Sequence, residues 1–129
     1  MKHELIDLGN HVVSYAEKLG ATQVEAYLES TRTIEVKIEK GLIRLAAEKL
    51  DSGCGVRVAL GNQIGVSYVT SILEKDLNQS AQSAISAARA SVADSDFKSF
   101  VSTQSSYPTI KGLFNKELDQ IDCEQAVEI

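Results

Sequence analysis

Apolar residues recur along this chain with two different periods, and the switches between them outline the fold. Over residues 4 to 19, Leu5, Leu8, Gly9, Val12, Ala16 and Leu19 fall at helical spacing, one stripe of a surface helix. Gly20 follows as the expected C-terminal stop. The period then drops to two. Val24, Ala26, Leu28, Ile34, Val36 and Ile38 hold even positions, while Glu25, Tyr27, Glu29, Thr31, Thr33, Glu35, Lys37 and Glu39 hold odd ones. Such alternation marks a sheet with one wet face. The phase does not flip across Ser30 to Thr33, which predicts one long strand over 24 to 38.

Lys40-Gly41 reads as a two-residue turn, with Gly41 supplying a positive φ. A second strand is expected at 42 to 49, a turn at 50 to 53 and a third strand at 54 to 60, with Val56, Val58 and Leu60 inward. At Gly61-Asn62 the large apolar residues match best if a three-residue loop sets Val58 against Ile64 and Val56 against Val66. The fourth strand then covers 63 to 70. Leu77, Ala81, Ala84, Ile85, Ala88 and Val92 restore the helical period, and their small side chains allow close approach to a sheet.

The fold class predicted is α+β in two layers: a four-stranded, mainly antiparallel meander with a long first strand. Two helices pack on one face, in the order α-β-β-β-β-α. The domain is expected over residues 1–94. A serine-rich stretch without periodicity, containing Pro108, is expected as an irregular linker over 95–121. Asp122-Cys123-Glu124-Gln125 reads as a helix cap opening the start of a truncated helix at 122–129.

With 129 residues, 43% of them hydrophobic, the chain can bury a core without staples. A formal net charge of -5 and scattered cations disfavour nucleic acid as a partner. No run of residues is apolar enough to span a membrane, and no signal peptide is evident. Two cysteines far apart in sequence, Cys54 and Cys123, fit a reducing cytoplasm.

Candidate chemistry is sparse. His3 and His11 lie about two helical turns apart and cannot share one metal without outside ligands. Cys54 sits between Gly53 and Gly55, and Arg57 is offset to the other face, so a small buried hydrophobe is the expected role. Gly53-x-Gly55 precedes a strand, unlike phosphate-binding glycines, and is read as positive-φ or close-approach backbone. Arg57 is placed to pair with glutamates of neighbouring strands. Glu25, Glu29, Glu35 and Glu39 line a solvated face with no dry wall to raise a carboxyl pKa. No catalytic, cofactor-binding or metal-binding residue is assigned within the chain.

Taken in order, these pieces resemble one family. The carrying residues are Glu25-Ala26-Tyr27, Lys40-Gly41, Ser52-Gly53-Cys54-Gly55-Val56-Arg57-Val58, Gly65, Thr70-Ser71, Ala84 to Ala88, Gly112-Leu113-Phe114 and Glu124 to Glu128. The set resembles the N-terminal domain of the TldD/PmbA proteins, described as modulators of DNA gyrase and as metallopeptidases. Gly41, Gly53, Gly55, Arg57 and Gly65 would be its structural motif. The resemblance implies a parent protein several times longer, with zinc held in the C-terminal half on a His-Glu-x-x-x-His helix in the TldD type and no such motif in the PmbA type. It implies homodimers or heterodimers with a paralogue that enclose and degrade unfolded peptides. This chain would supply a non-catalytic N-terminal domain; the alternative is a free-standing interaction module such as a gyrase modulator. Leu77 to Ala81 is closer to the TldD type and Gly112-Leu113-Phe114 to the PmbA type, so the paralogue stays open.

Overall fold

Every long element begins and ends where the local chemistry permits. The computed structural model describes residues 2–101 and 106–129, with side chains from residue 4 onward. Helix α1 (Lys2–Lys18) stops in a Schellman arrangement: the Gly20 amide donates to the Glu17 carbonyl at 2.9 Å and the Ala21 amide to Ala16 at 3.1 Å, with Gly20 at φ 102°. The long strand expected at 24 to 38 is present as β1 (Gln23–Glu39). Lys40 and Gly41, at φ 51° and 75°, make the tight turn into β2 (Leu42–Leu60), and β3 (Gln63–Val69) completes an antiparallel sheet in the order β1-β2-β3. Helix α2 (Glu74–Ala90) follows, then two short helices, α3 (Lys116–Asp119) and α4 (Cys123–Glu128).

Among the described residues the sheet has three strands, not four. The segment expected to turn at 50 to 53 stays extended inside the 19-residue β2. The reason lies in the glycines. Neither Gly53 nor Gly55 has a positive φ; both admit the Tyr68 ring instead. A Cβ at Gly53 would meet the Tyr68 hydroxyl at 2.5 Å and the Val69 carbonyl at 2.9 Å, and one at Gly55 would lie 3.8 Å from the ring edge. Gly55 and Tyr68 are direct cross-strand partners, the arrangement in which an aromatic side chain covers backbone that glycine leaves bare.

The second hairpin also differs from expectation. Its loop has two residues, Gly61-Asn62, with Leu60 against Gln63, Val58 against Gly65 and Val56 against Ser67. Gly61 at φ 60° supplies the first central position of such a turn. The three-residue alternative paired large apolar residues with one another. The fold instead puts its smallest residues on the covered side of β3, because α2 lies almost on the strand.

By its internal contacts the chain divides into two units, Met1–Ser30 with Asp51–Ser102, and Thr31–Leu50 with Thr103–Ile129. In the first, α1 and α2 cover one face of the sheet. The core is Val12 and Ala16 from α1, Cys54, Val56 and Val58 from β2, and Leu77, Ala81, Ala84, Ile85 and Ala88 from α2. Both predicted helical stripes supply it, except Val92, which lies past the end of α2 and is 91% exposed. Ser80, the one buried polar residue in the described core, shares a hydrogen bond with Ser67 at 3.1 Å. The stretch after α2, expected to be irregular, is tied to the rest of its unit at two points, the Asp94 amide donating to the Asn62 carbonyl and the Phe100 amide to the Gln23 side chain at 2.7 Å, while the Asp96 amide donates locally to Asp94. Its residues 102–105 lie outside the described residues.

In the second unit the outer halves of β1 and β2 carry α3 and α4. Helix α4 opens with the capping box read from the sequence, Asp122 and Gln125 each accepting from the other's backbone amide. Arg32 joins the two short helices to the hairpin. Its Nε donates to Glu48 at 2.6 Å, and its Nη1 reaches the carbonyl oxygens of Asp119 and Ile121 at 3.3 and 2.9 Å. That bond from Arg32 holds the Glu48 carboxyl below its ordinary pKa and raises the guanidinium further.

Candidate functional site

Alternation sends the odd-numbered side chains of β1 and the inner half of β2 away from the helices, and they define the open face of the first unit. Glu25 and Tyr27 come from β1, Gly55 and Arg57 from β2, and Val66 and Tyr68 from β3. Tyr27, Val66 and Tyr68 are 66%, 62% and 68% exposed, an unusual amount of apolar surface for one side of a small sheet. A shallow hollow of about 210 Å³ lies among Glu25, Tyr27, Gly55, Arg57 and Val66.

Arg57 closes one end of this face. Its Nη2 donates to Glu25 Oε2 at 2.7 Å, the cross-strand pairing expected of it, and its guanidinium lies 4.5 Å from the centre of the Phe100 ring. Phe97 packs edge-on against Phe100, with centroids 5.3 Å apart. Phe100 was not legible as a partner, since nothing local links it to a strand more than 40 residues earlier. Among the other glutamates of the wet face, Glu35 pairs with Lys37 at 2.9 Å and Glu39 with Arg44 at 3.4 Å.

The metal-capable side chains stay apart. His11 is half-buried between the helices, with Nε2 held by Asn78 at 2.8 Å and its ring stacked on Tyr15. The His3 side chain lies outside the described residues. Cys54 is fully buried, and Cys123 belongs to α4. Among the described residues no group of three or more His, Cys, Asp or Glu is placed to hold a metal ion. These donors do not fit a zinc centre, which needs three or four converging ligands.

Burial pushes the Cys54 thiol above its ordinary pKa of 9.0. A thiol raised on folding favours the protonated native state. Its contribution to stability is therefore complete below the unfolded pKa and is lost as pH rises through the folded one. We expect an alkylating reagent at a pH of about 8 to label Cys123 quickly and Cys54 only as fast as the core opens. Peptide mapping with and without denaturant checks this; equal labelling of both thiols in the native chain would contradict it.

What these features define is a two-layer α+β domain with a half-covered sheet, an ordered arginine and a glycine-backed tyrosine. Comparison with known proteins then places it. Residues 24–91, more than half of the chain and nearly all of the sheet and α2, match the family described as PmbA/TldA metallopeptidase domain 1. The chain belongs to that family. Its fold is similar to the crystal structure of TldE from Thermococcus kodakarensis, with a TM-score of 0.79 at 18% identity. That match covers 91% of this chain and 26% of the TldE chain, so the sequence spans about a quarter of that relative's length. No curated protein matches it.

Proposed function

We propose that this chain acts as a non-catalytic first domain in a TldD/PmbA-type zinc metallopeptidase, contributing to assembly and to the enclosure of unfolded peptides in the cytoplasm. The match of residues 24–91 to the family's domain 1 carries this reading. Two features of the site support it. The open face presents tyrosine and valine side chains of the kind that pack against another protein surface or an extended peptide. Among the described residues, those able to bind zinc are dispersed, which suits a domain whose catalytic ions are held elsewhere in the assembly. The expected partners are a second copy or a paralogue, with unfolded peptide as the substrate of the whole.

The test is a peptidase assay on this chain alone with added zinc and an unfolded peptide. The expected rate equals the buffer blank. Turnover that a chelator abolishes would overturn the non-catalytic reading.

A further inference from the structure

One edge of the first unit's sheet stands ready for another strand. The two-residue loop makes Leu60 and Gln63 a hydrogen-bonded pair. Along β3, Gln63, Gly65, Ser67 and Val69 therefore turn their backbone groups toward β2, and Ile64, Val66 and Tyr68 turn theirs outward. Among the described residues no strand lies beyond β3, so the amides and carbonyls of those three residues form a row along its outer side. The segment after α2 bonds the loop just before them, the Asp94 amide donating to the Asn62 carbonyl at 2.8 Å. Its Phe100 amide then bonds Gln23, on the opposite edge strand.

Natural sheets usually blunt an exposed edge with charge, proline, a bulge or cover from a neighbouring segment. Within this unit the other edge strand, β1, carries Glu25 and Glu29, whereas Gln63-Ile64-Gly65-Val66-Ser67-Tyr68-Val69 holds no charged residue and no proline. Both flanks of the β3 edge suit an incoming strand. On the open face stand the exposed side chains of Val66 and Tyr68. On the other side, Asn78 and Gln82 bond His11 and Tyr15, which marks the flank of α2 that faces α1. Helical spacing puts the exposed Ser83 and Ala87 on the opposite flank, over the edge, where their small size leaves room for a neighbour's side chains.

A row of alternating main-chain donors and acceptors is matched by another extended backbone. With a formal net charge of -5 this chain repels a second copy of itself, while a neutral or basic peptide meets no such barrier. We infer that Ile64, Val66 and Tyr68 form a strand-addition site for an extended, neutral or basic peptide with β-branched or aromatic side chains at every second position. The peptide residues that bond β3 place their side chains on the open face beside Val66 and Tyr68, as cross-strand partners do, and the residues between them face Ser83 and Ala87. The inference rests on the peptide-handling part of the proposed function and gives it a location.

The probe is a peptide of alternating threonine and valine with a lysine at each end. In saturating excess it should slow hydrogen exchange at the Ile64, Val66 and Tyr68 amides about tenfold or more, read by NMR, with little change at Gly65 and Ser67, which already bond β2. Methylating the valine amides of the peptide removes the donors that face β3 and should weaken binding about tenfold or more, while methylating the threonine amides should not. Val66→Pro removes one outward N–H at an edge position that proline tolerates, and should lower affinity to a similar degree with an unchanged circular dichroism spectrum. If that variant does not fold, the two methylated peptides decide. Unchanged exchange, equal binding of the two methylated peptides, or a chain that pairs β3 with a second copy before peptide is added would each overturn the inference. These readouts need no turnover: their failure leaves the non-catalytic reading standing, and turnover by the chain would leave the edge site standing.

Discussion

Replacing Gly65 by alanine is expected to lower stability by about 3 kcal/mol, at the upper end for inserting one methyl group into a packed interior. The position leaves no alternative. A Cβ there would run into the Ala84 carbonyl oxygen and the Ala88 amide nitrogen, and would come within 2.9 Å of the Ala88 Cα. All three atoms are helix backbone, so no side chain can swing aside and α2 itself has to move. Valine at this position should leave no cooperative transition. The measurement is urea unfolding followed by circular dichroism. Gly41 provides the control: at φ 75° an alanine is strained but meets nothing within 4 Å, and the cost should be about 1 kcal/mol. If Gly65→Ala costs no more than Gly41→Ala, the close seating of α2 on β3 is wrong.

Leu77→Ala should have the second large effect, about 3 kcal/mol. Leu77 is the largest fully buried side chain and packs in the first turn of α2 with Val12, Val56 and the alanines behind it. Small residues surround it, so little is available to collapse into the space left behind. The chevron should show this loss with an unchanged overall denaturant dependence. The same truncation at Val92, outside the core, should change stability by less than about 0.5 kcal/mol. Similar losses at the two positions would remove Leu77 from the centre of the core.

Much of this architecture is legible in the sequence because burial imposes a period. The stripes Val12–Ala16 and Leu77–Ala88, and the unbroken even phase of β1, each follow from one face being covered. The misreadings share a cause. Glycine marks both a reversal and a place where something comes close: the turn expected at 50 to 53 is absent, and of the two readings open for Gly53 and Gly55 the structure uses close approach. At the second hairpin, large apolar residues were matched across the strands. The covered side of β3 is instead Gly65 and Ser67, while Val66 and Tyr68 face outward. In the correct register Gly55 falls opposite Tyr68, so the aromatic partner could have been found from the two-residue loop. The open face was less legible. The pairing of Arg57 with Glu25 follows from strand geometry, but its contact with Phe100 and the link from Arg32 to Asp119 and Ile121 depend on how irregular chain returns to the sheet.

The seam between α2 and β3 means that this architecture is specified as much by forbidden bulk as by greasy side chains. A few sites must stay tiny and the buried core must stay apolar, while exposed positions are freer to drift. Such a rule can hold a shape steady while nearly all the letters change, in keeping with a backbone shared with TldE at 18% identity. Searches for distant kin should accordingly weight the spacing of glycine, serine and alanine along the seam above overall hydropathy.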